Sequence, residues 1–187
     1  MPFNFTNLNI AGVILIEPKL FADDRGYFME SFKTTDFERA NLPVSFKQEN
    51  FSFSKKDVLR GLHYQKGAKA QGKLVKVFKG AVWDVAVDLR RESPTFLKWA
   101  AAELNDQNHA MLYIPPGFAH GFVALTEAVY LAYKCTSEYD PQADTGIRWN
   151  DPDIAIPWPV KNPILSEKDR MLPFLKQAEF FICVLSD

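Results

Sequence analysis

Lys73-Leu74-Val75-Lys76-Val77-Phe78-Lys79-Gly80-Ala81-Val82-Trp83-Asp84-Val85-Ala86-Val87-Asp88-Leu89 reads as two strands separated by one glycine. Side chains alternate along a strand, so Ala81, Trp83, Val85 and Val87 share one face of the second run. Val82, Asp84, Ala86 and Asp88 share the other. Two such runs around Gly80 predict a hairpin-like arrangement over 73–79 and 81–89. The same texture continues outward over 12–16 (stopping at Pro18), 26–32, 99–104, 111–114, 121–125 and 128–135. Sixteen Phe favour strands packed face to face.

Two short helices interrupt this pattern. Thr35-Asp36-Phe37-Glu38 has the form of a capping box and predicts a helix to about residue 41, before Pro43. A second is expected over 167–177, broken by Pro173. Many short strands with few helices predict an all-β fold, an antiparallel sandwich or barrel. We read residues 1–187 as one domain, with 152–187 as a C-terminal helical and extended tail. Asp151 and Trp158 accompany the prolines there, whereas linkers are usually more polar.

The charge balance, 22 basic against 23 acidic residues, gives no reason to expect broad attraction to nucleic acid or an anionic membrane. Neither a signal peptide nor a membrane span is read in the sequence. Cys135 and Cys183 lack metal-ligand spacing and are too few for a secreted disulfide scaffold. A cytoplasmic location follows as the expectation.

Any anion binding must therefore be local, and Leu59-Arg60-Gly61-Leu62-His63-Tyr64-Gln65 is the place to look. A histidine among apolar residues is ordinarily a hydrogen-bonded strand residue. Here Arg60 lies beside His63, and arginine is rarely buried without an anion. Strict strand parity puts Arg60 and His63 on opposite faces; a bulge at Gly61 cancels that, and the sequence leaves both open. Lys73 starts a strand whose same-face neighbours, Val75 and Val77, are apolar. His120 follows the rigid turn Pro115-Pro116-Gly117, between Phe118 and Phe122, and is as readily a core residue as a functional one. His109, in Asn105-Asp106-Gln107-Asn108-His109, reads as a solvated turn residue. Asp84 and Asp169 both stand as carboxylates able to orient an imidazole. Three histidines without His-x-His spacing give little support for a metal site.

The chain also carries an ordered series of motifs: Phe21-Ala22-Asp23-Asp24-Arg25-Gly26-Tyr27-Phe28-Met29-Glu30-Ser31-Phe32, Gln48-Glu49-Asn50, the Arg60–His63 segment, Gln71-Gly72-Lys73-Leu74-Val75, and Asp84 to Arg90. Ser93-Pro94-Thr95-Phe96, Pro116 to Phe122, Tyr133-Lys134, Trp149-Asn150-Asp151-Pro152 and Leu165-Ser166-Glu167-Lys168-Asp169 complete it. Together, over residues 12–173, these resemble the dTDP-4-dehydrorhamnose 3,5-epimerase family of sugar-nucleotide epimerases.

The resemblance implies a cupin-type jelly roll, a homodimer, no cofactor and no metal. It implies inversion of C3 and C5 of dTDP-4-dehydro-6-deoxy-D-glucose, giving dTDP-4-dehydro-L-rhamnose. By this resemblance His63 is the base and Asp169 its orienting carboxylate, with Asp84 in a supporting role. Tyr133 matches the acid that returns the proton, and Lys73 the cation beside the keto oxygen. Arg25, Phe28, Glu30, Gln48, Asn50, Arg60, His120 and Lys168 match substrate-contacting positions, and Tyr139 the aromatic that stacks on thymine. Asp144 stands where the family usually has glutamate, one methylene shorter. The segment around Arg25 to Glu30 is implied to reach a neighbouring subunit's site. The chemistry suits these types: a proton beside a ketone is removable as an enolate forms, and histidine is a base near neutral pH. A fixed cation stabilises the enolate oxygen, and arginines suit a diphosphate. The alternatives are a relative that inverts one carbon only, a non-catalytic sugar-nucleotide-binding cupin, and a metal-dependent cupin. The last would need a clustered histidine set that the chain lacks.

Overall fold

The structure, a computed structural model, describes residues 2–179. Its strands in chain order are β1 (Phe3–Asn7), β2 (Ile14–Pro18), β3 (Phe21–Asp23), β4 (Gly26–Phe28), β5 (Gln48–Ser54), β6 (Leu59–Gln65) and β7 (Lys73–Lys79). They continue as β8 (Ala81–Asp88), β9 (Trp99–Asn105), β10 (Met111–Ile114), β11 (Phe118–Ala124), β12 (Val129–Cys135) and β13 (Asp144–Gly146). Helix α1 (Thr34–Arg39) follows β4, and α2 (Glu167–Met171) follows β13.

Two antiparallel sheets face each other, one in the order β1-β2-β10-β7-β12-β5 and the other β13-β6-β11-β8-β9. Val75, Val77 and Leu131 of the first meet Val82, Ala86, Phe118 and Phe122 of the second in a dry core. This double sheet is a jelly roll, the expected class. The expected hairpin over 73–89 is not formed. β7 pairs with β10 and β12, while β8 pairs with β11 and β9, so Gly80 turns the chain from one sheet into the other. A Cβ at Gly80 would lie 2.4 Å from Ala128 O, and its φ is +79°. Alternation alone cannot separate a hairpin from a corner; burial of both strand faces decides for a corner. Val82 and Ala86 enter the inter-sheet core, while Val85 and Val87 pack under the C-terminal tail.

That tail covers the outer face of the five-stranded sheet. Ile154, Trp158 and Leu175 join Leu59, Leu62, Tyr64 and Ile147 there. Burying each such large side chain is worth about 1.5–3 kcal/mol. The Asp151 carboxylate pins the tail by accepting from the backbone N–H groups of Asp153, Ile154 and Leu175. Over 152–179 the chain is mostly irregular and packs against that sheet. Helix α2 ends before Pro173, and a single 3-10 turn resumes at Leu175–Gln177.

Helix α1 differs from its expectation. It starts at Thr34 after an extended Lys33, and no side chain caps it, so Thr35 lies inside the first turn rather than at the cap. Asp36 instead sits 3.8 Å from Lys33 and 3.5 Å from Arg39. The strand expected over 26–32 shortens to β4, which pairs only with β3 in an exposed ribbon. Cys135 is a buried free thiol, and Cys183 lies outside the described residues.

Candidate active site

β6 and β11 pair with His63 opposite His120 and Arg60 opposite Phe122, and the register shifts between those two pairs. Gly61 sits at the shift with φ +126°. A Cβ there would be 2.5 Å from Gly121 Cα, so the two glycines let the backbones touch. This is the irregularity that cancels strand parity. Arg60 and His63 consequently line one cavity of about 280 Å3, with Lys73, His120, Tyr133, Lys168 and Asp169.

His63 Nε2 is 2.5 Å from Asp169 Oδ1. A carboxylate can only accept, so Nε2 carries the hydrogen and Nδ1 keeps the lone pair. Asp169 arrives from α2, 106 residues along the chain. Ser166 caps that helix: its hydroxyl donates to Asp169 Oδ2 at 2.7 Å and accepts from Asp169 N at 3.1 Å. Burial acts to raise the Asp169 pKa, but the bonds from His63, Ser166 and the Gly61 N–H outweigh it and hold the carboxyl below its ordinary range.

A second imidazole–carboxylate pair lies deeper. His120 Nε2 is 3.0 Å from both Asp84 oxygens, and Asp84 is fully buried on the inward face of β8. Burial lowers the His120 pKa, against the pull of Asp84, so this ring is neutral. Lys73 at the start of β7 is also buried, which lowers its pKa, and its Nζ lies 5.7 Å from the Tyr133 ring centroid. Burial raises the Tyr133 pKa and keeps its phenol protonated.

Arg60 is braced by Phe53 O at 3.0 Å and Ser54 Oγ at 3.1 Å. Beyond the cavity, Gln48 holds Asn50 Oδ1 at 2.9 Å and accepts from Tyr139 N at 2.6 Å. The Tyr139 hydroxyl donates to Asp144 Oδ2 at 3.1 Å, and Lys168 pairs with the same oxygen. Three expected binding residues stand apart. Arg25, 89% exposed, pairs with Asp23 on the β3–β4 ribbon. Phe28 on the same ribbon is exposed, and a buried Glu30 oxygen has no hydrogen-bond partner among the described residues. His109 departs from its expectation: it is buried rather than solvated, with the Tyr27 ring 4.7 Å away covering it.

Two features escaped the sequence reading. Ser166-Glu167-Lys168-Asp169 has the spacing of a cap and could have pointed to the Ser166–Asp169 contact. The pairing of Asp84 with His120 rather than His63 depends on sheet register and has no local signal. Among the described residues, no group of three or more His, Cys, Asp or Glu is placed to hold a metal ion. No helix among them is long and apolar enough to cross a membrane.

A jelly roll with an oriented imidazole, a buried cation and a protonated phenol around one cavity defines a cupin-type site suited to proton transfer. Comparison with known proteins narrows the class. The chain belongs to the dTDP-4-dehydrorhamnose 3,5-epimerase family, whose sequence model matches residues 7–177. A dTDP-4-dehydrorhamnose 3,5-epimerase of Methanothermobacter thermautotrophicus is 50% identical over 183 residues, covering 96% of this chain and 98% of that one. A Legionella pneumophila crystal structure of dTDP-6-deoxy-D-glucose-3,5-epimerase in complex with dTDP-4-keto-L-rhamnose superposes with a TM-score of 0.90 at 44% identity, covering 95% of each chain. A dTDP-4-dehydrorhamnose 3-epimerase of Streptomyces niveus is less similar, 37% identical over 91% of this chain and 83% of that one.

Proposed function

We propose that this protein is an isomerase that inverts C3 and C5 of dTDP-4-dehydro-6-deoxy-D-glucose to give dTDP-4-dehydro-L-rhamnose. The observation that carries the assignment of roles is the His63–Asp169 pair at 2.5 Å, in one cavity with Lys73 and Tyr133. Nδ1 of His63 takes the proton from the carbon beside the C4 ketone. The electrons of that C–H bond move onto the ketone oxygen as an enolate, which the Lys73 ammonium stabilises. The Tyr133 hydroxyl then gives its proton to the opposite face of the same carbon, restoring the ketone; the tyrosinate regains a proton from solvent, and the His63 imidazolium releases its proton to solvent before it acts again. Asp169 keeps His63 in the productive tautomer and stabilises the imidazolium. The same events at the second carbon complete the reaction.

In this reading Arg60, Lys168 and Arg25 hold the diphosphate, Tyr139 stacks on thymine, and Phe28, Glu30, Gln48, Asn50, His120 and Asp144 complete the substrate site. Asp144 acts indirectly, since it already holds Tyr139 and Lys168. The chain works as one domain in a cytoplasmic homodimer. A free Cys135 fits a reducing compartment. The exposed aromatic face formed by Phe51, Phe53, Phe78 and Tyr130 favours a second copy. So does the place of Arg25 and Glu30 outside the lining of their own cavity, because they are then free to serve a partner.

The test is incubation of the protein with dTDP-4-dehydro-6-deoxy-D-glucose in heavy water, followed by NMR. Deuterium at both carbons with inverted product supports the reading. Deuterium at one carbon makes it a single-carbon epimerase, and none at either overturns it.

A further inference from the structure

The reaction above gives Asp84 no step, although this carboxylate is fully buried between the sheets on the strand beside the cavity. Among the described residues its hydrogen-bond partner is His120, held symmetrically at 3.0 Å by both oxygens. Because the carboxylate can only accept, His120 Nε2 carries the hydrogen, and burial keeps the ring neutral. The pair as a whole then carries the one negative charge of its carboxylate inside the protein.

Lys73 lines the same cavity as His120, the partner of Asp84, and Asp84 is among the charges that act on it. The groups that act on it come from each element packed around β7. On β12 these are Cys135 and Tyr133, both neutral near pH 7 because burial raises them. On β11, His120 is neutral as described, and on β6, His63 spends its bond on Asp169. Asp144 of β13 is engaged by Lys168 of α2, whose own charge opposes that of Lys73. Asp84 on β8 is left as the fixed negative charge that offsets burial.

We propose that Asp84 is a positioning residue that acts through its charge: it keeps the Lys73 ammonium protonated and locks His120 in one tautomer, so that the enolate always forms against a cation. This rests on the proposed function. In its absence burial would push Lys73 toward the neutral amine, and the enolate would lose its counter-charge just as base becomes abundant.

The test is the pH profile of kcat for wild type, Asp84→Asn and Asp84→Glu. Loss of Lys73 protonation sets the alkaline limb. Asp84 raises the Lys73 pKa, so removing its charge moves that limb to lower pH, by about half a unit or more. At neutral pH kcat falls about tenfold to hundredfold. The affinity for dTDP, read by calorimetry, stays within about twofold, because nucleotide recognition is assigned to other residues. Asp84→Glu returns the limb toward the wild-type position. A uniform loss at every pH with an unmoved limb, or equal defects in the two variants, overturns the proposal and leaves Asp84 a structural residue. If Asp84→Asn does not fold, wild type carries the test. The 13Cε signal of Lys73, assigned by its loss in Lys73→Met, titrates with the alkaline limb, and a limb that moves independently of it overturns the proposal. Absence of exchange in wild type would instead break the proposed function itself, so the two failures are distinguishable.

Discussion

His63 and His120 occupy facing positions on neighbouring strands, and each gives its Nε2 to an aspartate. Their settings differ. Asp169 is carried by a short helix from the C-terminal tail, and the His63 side chain is 30% exposed at the cavity wall. Asp84 lies on the strand next to that of His120, and both side chains are buried, with His120 reaching the cavity wall. One pair is a tethered contact between distant parts of the chain, able to exchange a proton with a substrate. The other is a fixed element of the core whose ring is held neutral. In the proposed mechanism, two copies of one wiring divide the work between moving a proton and setting a field.

The sharpest way to break this comparison is to remove each ring in turn. His63→Asn should lower solvent deuterium incorporation about 10^3-fold, as expected for loss of a general base, with dTDP binding nearly intact. His120→Asn should leave measurable exchange, because its imidazole takes no proton. Exchange that survives in the first variant and vanishes in the second would reverse the roles. A smaller effect is expected at the phenol. Tyr133→Phe should reduce net epimerisation about 10^2-fold while exchange continues on the face that His63 serves. Parallel loss of both activities would remove Tyr133 as a separate acid.

Legibility followed the range of the interactions involved. Composition and strand alternation carried the fold class, because a two-sided apolar strand such as β8 has few ways to hide both faces. They failed at Gly80, where a hairpin and a corner share one local pattern and only burial in different sheets separates them. The break at Gly61 was foreseeable, since arginine and histidine three apart cannot share a face without it. The pairing of Asp84 with His120 was not, for it depends on register across β8 and β11. The burial of His109 has no local signal, because the Tyr27 ring beside it comes from a distant ribbon.

The smallest expected effect tests the tether itself. The Ser166 hydroxyl both caps α2 and donates to Asp169, so Ser166→Ala should cost about 1 kcal/mol at neutral pH. Part of that cost is electrostatic and has a definite sign. Asp169 is held below its unfolded value of 3.8, so its ionised form contributes stability above that value. The contribution is lost as pH falls through the folded value. Ser166→Ala lets the Asp169 pKa rise, which removes part of a contribution that exists only above that window. Urea unfolding should therefore show a gap between wild type and variant that is widest near pH 7 and narrows as pH drops below about 3.8. What remains at acid pH is the backbone cap alone. A gap that stays constant with pH would mean that Ser166 supports the helix without tuning the carboxylate. The open pair would then be held in place by the His63 contact and the Gly61 amide rather than by its own helix.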